Sequence, residues 1–136
     1  MMLLDTSGLL AAIDGSQREH PACVEALARA RGPFVLSPFV LAELDYLLHT
    51  RVGRAAQAAL LGEVAAGAYR LEPFGAADVR QAHDVIAKYA DQTIGLADAS
   101  IVVLAARHGA RDVLTLDRRH FGVLRRLNGR PFRLHP

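Results

Sequence analysis

The 136-residue chain reads as an α/β protein whose central, mainly parallel sheet is covered by helices on both faces. Three observations carry this reading. Short apolar runs alternate with helical patterns of ten or more residues, the signature of βαβ units. The runs are apolar throughout rather than alternating, as in strands buried on both faces. Hydrophobic residues make up 51% of the chain while aromatics make up only 6%, so the core is built of Ala, Leu and Val. At this length one domain over residues 1–136 is expected.

The elements follow in order. Met2 to Leu4 is a short strand ending at Asp5, and Thr6-Ser7-Gly8 supplies a turn and cap before a helical run from Leu9 to Ile13. Pro21 suits the first turn of a helix through Val24, Leu27 and Ala28 to about Arg31, where Gly32-Pro33 stops it. Phe34 to Leu36 is a second strand. Ser37 caps a helix from Pro38 to about Arg51; Val52-Gly53 breaks it, and another helix covers Arg54 to Ala66. A weak strand at Tyr69 to Leu71 leads to a helix from Ala76 to about Tyr89. After the 91–95 loop, a strongly apolar helix runs from Leu96 to His108 and ends at Gly109. Asp112 to Leu116 is the strongest strand pattern, and Phe132 to Leu134 forms a last one.

This topology gathers acids that the sequence scatters. Asp5 and Asp117 each lie just past the carboxyl end of a strand, so parallel strands bring them to one edge. The helix from Pro38 starts at that edge, with Glu43 about one and a half turns in. The helix from Leu96 precedes the Asp112–Leu116 strand, runs antiparallel to it, and so has Asp98 in its first turn at the same edge. Ligands of open α/β sheets bind in the crevice there. Singly, Asp5 and Asp117 also suit helix caps, Glu43 a solvated helix face and Asp98 a helix dipole. Four acids meeting at one edge call instead for a divalent cation, and hard Mg²⁺ or Mn²⁺ prefers carboxylate and water oxygens.

Leu3-Leu4-Asp5-Thr6-Ser7, Ala42-Glu43-Leu44, Gly95-Leu96-Ala97-Asp98-Ala99 and Leu114-Thr115-Leu116-Asp117 resemble, in content and order, the motifs of PIN-domain nucleases, specifically the VapC toxins of bacterial toxin-antitoxin pairs. The resemblance spans the chain, and Thr115 to Phe121 resembles the mycobacterial and actinobacterial branch. It implies a PIN-like three-layer α/β/α sandwich with Asp5, Glu43, Asp98 and Asp117 as the metal-binding, catalytic acids. It also implies a structured RNA substrate, tRNA or the sarcin-ricin loop of large ribosomal RNA, a VapB-type antitoxin occupying the cleft, and a homodimer through the helices between Pro38 and Ala66. The expected reaction is metal-assisted phosphodiester hydrolysis needing no nucleophilic side chain. Asp5 and Asp98 are expected as direct ligands, Glu43 and Asp117 as ligands or orienters of the attacking water, and Thr6, Ser7 and Thr115 as hydroxyl donors supporting them.

Charge distribution fits this chemistry. Residues 1–106 carry 8 basic and 12 acidic side chains, net −4, whereas residues 107–136 carry 8 Arg against Asp112 and Asp117, net +6. Arg118 and Arg119, directly after Asp117, are the expected RNA contacts, since Arg holds phosphates bidentately. Other classes fit poorly. A receiver-type signalling domain needs a Lys after a late strand, but the only lysine, Lys88, lies in a helix, and Glu43 has no role there. A PIN domain kept only as a non-hydrolytic binding module shares every motif and is separated only by assay. A single Cys23 allows no internal disulfide, six scattered His offer no zinc spacing, and neither a membrane-length apolar run nor a signal peptide is evident, so a cytoplasmic protein is expected.

Overall fold

Five short strands form one fully parallel sheet in a computed structural model that describes residues 1–136. The strands are β1 (Met2–Leu4), β2 (Phe34–Leu36), β3 (Arg70–Leu71), β4 (Asp112–Leu114) and β5 (Arg133–His135), in the order β3-β2-β1-β4-β5. The order reverses between β1 and β4, whose register pairs Leu3 with Val113 and Leu4 with Leu114. That is the switch point at which a parallel sheet opens a crevice beyond its carboxyl ends.

Seven α-helices cover the faces: α1 (Thr6–Ile13), α2 (His20–Arg29), α3 (Pro38–Leu47), α4 (Arg54–Ala65), α5 (Ala76–Lys88), α6 (Leu96–His108) and α7 (Arg118–Val123). The core is aliphatic, with Leu3, Leu4, Leu36, Leu44, Leu104 and Leu114 all essentially inaccessible. Helix α6 is buried over Ala99–Ala105, which explains why its sequence lacks a polar face. Gly109, at φ 62°, ends it in the left-handed conformation that glycine adopts without strain. No helix is long and apolar enough to cross a membrane.

Several boundaries differ from the expected ones for local reasons. Helix α1 starts at Thr6 rather than Leu9, because Asp5 takes the extended N-cap conformation and Gly8 lies flat against β4. A β-carbon on Gly8 would stand 2.6 Å from the Leu114 carbonyl oxygen, so only glycine permits this approach. The expected Pro38–Arg51 helix ends as an α-helix at Leu47 and widens into a π turn over Leu48–Val52 before Gly53. Strand β4 ends at Leu114 instead of Leu116, because the Leu116 N–H is taken by the Ser7 hydroxyl at 2.9 Å.

The weak third strand is secured by charge. Glu72, 6% exposed, accepts from Arg107 Nη1 at 3.0 Å at the end of α6 and pairs with Arg70, whose Nε lies 3.0 Å away. Arg107 also meets Asp78 of α5 at 3.0 Å. A buried carboxylate is tolerated only when so paired, and this pairing ties the sheet edge to two helices.

Candidate metal centre

Asp5 extends from the end of β1 into a cleft of about 390 Å³ at the switch point. Its backbone N–H continues the sheet to the Leu114 carbonyl at 3.0 Å, which fixes where its side chain starts. Ser7 Oγ and Thr115 Oγ1 both donate to Oδ2, at 2.6 and 2.7 Å, so two hydroxyls clamp one oxygen and neither occupies Oδ1. The same hydroxyls brace the opposite strand. Ser7 Oγ accepts the Leu116 N–H, and Thr115 Oγ1 accepts the Asp117 N–H at 2.9 Å. Two of the expected hydroxyl donors therefore lock Asp5 to the β4 exit. The third, Thr6 Oγ1, is buried without a hydrogen-bond partner, and Thr6 supports Asp5 through its backbone instead.

Glu43, Asp98 and Asp117 line the same cleft, so all four acids meet although 112 positions separate the first from the last. Asp98 sits at the start of α6, where its Oδ2 accepts the Gly95 N–H at 3.3 Å. Asp117 caps α7, accepting the His120 N–H at 3.0 Å. Glu43, on α3, is exposed in the cleft wall. Arg118 and Arg119 are exposed on α7 outside this cleft, and Arg118 Nη2 donates to the Pro136 carbonyl at 2.8 Å.

Two further cleft residues lie outside the set that the sequence predicts. His120 Nδ1 stands 2.9 Å from Asp117 and 3.8 Å from Asp98, so one imidazole spans two acids. Its i, i+3 spacing from Asp117 was a legible signal. Arg51 reaches the wall from the π turn, and nothing local in the sequence marks that widened turn. Such turns recur where a helix is bent to serve a site.

The electrostatics are those of uncompensated anions. Burial pushes the Asp5 carboxyl up from its usual range, opposed by its Ser7, Thr115 and Thr6 hydrogen bonds and reinforced by Asp117. Burial and then the charge of Asp5 push Asp98 up to about 6, while the Gly95 N–H and His120 pull it back. The donors facing the cleft are carboxylate and hydroxyl oxygens, which suits a hard divalent cation. No three of the acidic, His or Cys groups form a ready-made cage. Mg²⁺ does not need one, because it keeps several waters and is held by one or two carboxylates. The buried, unpartnered Thr6 hydroxyl in the cleft wall adds an oxygen that such waters would satisfy. A larger depression of about 500 Å³ beside α2 collects no comparable group of acids.

The PIN domain family profile matches residues 2–127. Ribonuclease VapC26 of Mycobacterium tuberculosis (strain ATCC 25618 / H37Rv) is 49% identical over 135 residues, 99% of this chain and 100% of that protein. The crystal structure of Mycobacterium tuberculosis VapC20, a sarcin-ricin loop cleaving toxin, superposes with a TM-score of 0.78 at 21% identity, covering 83% of this chain and 87% of that one. DNA-bound VapBC from Salmonella typhimurium gives 0.70 at 17% identity, with 98% and 96% covered. At such identities the structural likeness speaks for the fold.

Proposed function

The chain belongs to the PIN domain family as a VapC-type ribonuclease toxin of a toxin-antitoxin system, and from that premise we propose that Asp5, Glu43, Asp98 and Asp117 form its catalytic centre for divalent-cation-dependent hydrolysis of structured RNA. The observation that carries the assignment is the meeting of these four carboxylates, from four distant segments, around one cleft at the switch point. Asp5 and Asp98 would hold one Mg²⁺ directly, with Mn²⁺ as substitute. Glu43 and Asp117 would ligate it or orient a water.

When bound, the cation supplies Lewis acidity toward a phosphate and lowers the pKa of a water at the site. The chain's residues supply the geometry. Ser7 and Thr115 hold Asp5 in one rotamer through their two short bonds, and His120 restrains Asp117. Arg51, in the cleft wall, and Arg118 and Arg119, exposed on the helix directly after Asp117, would hold flanking phosphates.

The substrate proposed is a tRNA or the sarcin-ricin loop, the latter being what the similar VapC20 cleaves. A VapB-type antitoxin is the partner, as the toxin-antitoxin complexes among the structural neighbours suggest. Exposed Tyr46 on α3 and Leu61 on α4 support homodimerisation through these helices. The test is cleavage of total RNA by the antitoxin-free protein with EDTA and with added Mg²⁺ or Mn²⁺. Cleavage that stops in EDTA, returns with metal and falls at least about 100-fold in Asp98→Asn is expected. Undiminished cleavage in EDTA, or by Asp98→Asn, overturns the assignment.

A further inference from the structure

Four arginines surround a second depression at the opposite, amino-terminal edge of the sheet. Arg111 precedes β4, Arg133 begins β5, and Arg126 and Arg130 come from the turn between α7 and β5. Together with Pro131 and Phe132 they line a concavity of about 300 Å³ that contains no carboxylate. The turn is rigid. Arg126 N–H donates to the Arg130 carbonyl at 3.0 Å, Gly129 N–H to the Arg126 carbonyl at 2.8 Å, and Arg130 N–H to Asn128 Oδ1 at 3.1 Å.

The one acid beside it, Asp112, is already engaged. It accepts both Arg133 Nε and, at 3.1 Å, Arg133 Nη2, and also lies 2.8 Å from His135 Nε2. Arg111 Nε stays 3.9 Å from that carboxylate, beyond hydrogen-bonding range. Arg126 Nε is buried without a partner, and leaving such a donor unsatisfied is unfavourable. Arg125 is different, since its Nη1 caps the carbonyls of Gly122, Val123 and Leu124. With Arg133 held by Asp112, the guanidiniums of Arg111, Arg126 and Arg130 in the lining keep unused donors, and such donors select an anion whose oxygens accept in pairs, as phosphate does.

The catalytic cleft explains why such a site is useful. Its four carboxylates repel a polyanion, and Arg51 is the single arginine in its wall, so affinity for a nucleic acid has to come from elsewhere on the chain. We propose that the depression formed by Arg111, Arg126, Arg130 and Arg133 binds backbone phosphates of the RNA substrate at a point remote from the cleaved bond. The inference rests on the ribonuclease reading above. The depression lies at the edge of the sheet away from the acids, so an RNA long enough to pass from one edge to the other engages both, and a fragment confined to the acids engages only one. The site thus favours structured over short substrates.

The test is the salt dependence of binding to an RNA stem-loop of about 30 nucleotides, measured in EDTA so that no cleavage intervenes, for the full-length parent and Arg111→Gln/Arg130→Gln. Both positions are exposed, so folding should not be disturbed. Arg18→Gln/Arg80→Gln removes the same charge from exposed positions elsewhere. The site variant should bind about 10- to 100-fold more weakly at low salt and lose about 2 from the slope of log K against log salt, while the control pair keeps the parental slope. An unchanged slope, or equal losses in both pairs, overturns the proposal. So does a poly-glutamate peptide that displaces the RNA and is itself more sensitive to the site substitutions, because the site would then serve an acidic protein. Failure of the parent to cleave RNA with Mg²⁺ bears on the ribonuclease reading alone, since this comparison is made on binding.

Discussion

Asp98 carries the clearest sign of what the metal-free cleft costs. Burial and the charge of Asp5 push its carboxyl up to about 6 in the folded protein, against about 3.9 in an unfolded chain, so the folded state binds more protons between these values. Stability in EDTA therefore falls as pH rises from about 4 to 6, and the full penalty, at most about 3 kcal/mol, persists above that window. Asp98→Asn keeps the shape and an acceptor for the Gly95 N–H but removes the charge. We expect this variant to melt higher than the parent in EDTA at pH 7 and to show a shallower loss of stability between pH 4 and 6. Thermal melts across that range check both. A variant that melts lower at every pH would make Asp98 a structural helix-start residue. His120 lies between the same acids, its Nδ1 2.9 Å from Asp117 and 3.8 Å from Asp98, so one ring bridges two carboxylates of the cleft.

Between elements, the site depends on how closely α1 approaches β4. Gly8 makes that approach possible, and it carries the chain from Asp5 past the Thr115 hydroxyl that holds it. Gly8→Ala should cost about 1–3 kcal/mol by overpacking against backbone that has no side-chain freedom to yield. It should also reduce metal-dependent cleavage, because spreading α1 from β4 lengthens the bonds of Ser7 and Thr115 to Asp5. Urea denaturation and a cleavage assay on one preparation read the two effects. A second joint lies between α3 and α6, where buried Ser37 and Ser100 share a 2.6 Å hydroxyl contact. Ser37 also caps α3 by accepting the Phe39 N–H, so one side chain starts the helix that bears Glu43 and ties it to the helix that bears Asp98. The cap was readable from Ser-Pro at the helix start. The partner 63 residues away was not, because a hydroxyl in an apolar helix shows no direction until the helix is packed.

Across the whole molecule the charges are divided between the two edges of one sheet, acids beyond the carboxyl ends of the strands and a ring of arginines at the amino ends of β4 and β5. Repulsion among the acids makes the folded protein a receptor for cations, so binding should register as stability. At a free Mg²⁺ concentration about 100 times Kd the parent should gain about 2.7 kcal/mol, seen as a rise in Tm, and Asp98→Asn should gain less. Equal rises for both proteins, or none for the parent, would separate Asp98 from the cation site.

By itself the sequence determined the alternation of apolar strands and helices, the parallel sheet, and the place of each acid at a strand end or within the first two turns of a helix. These depend on local periodicity, capping and chain direction, which neighbouring residues specify. Tertiary structure alone decided that β1 lies beside β4, that Ser7 and Thr115 share one oxygen of Asp5, and that His120 and Arg51 turn into the cleft. It also decided that the arginines with unused donors gather at the edge away from the acids, while Arg118 and Arg119 stay outside the cleft despite following Asp117. Contacts between residues tens of positions apart arise from the packing of whole faces, and a hydroxyl, imidazole or guanidinium leaves no periodic trace of which face it will meet.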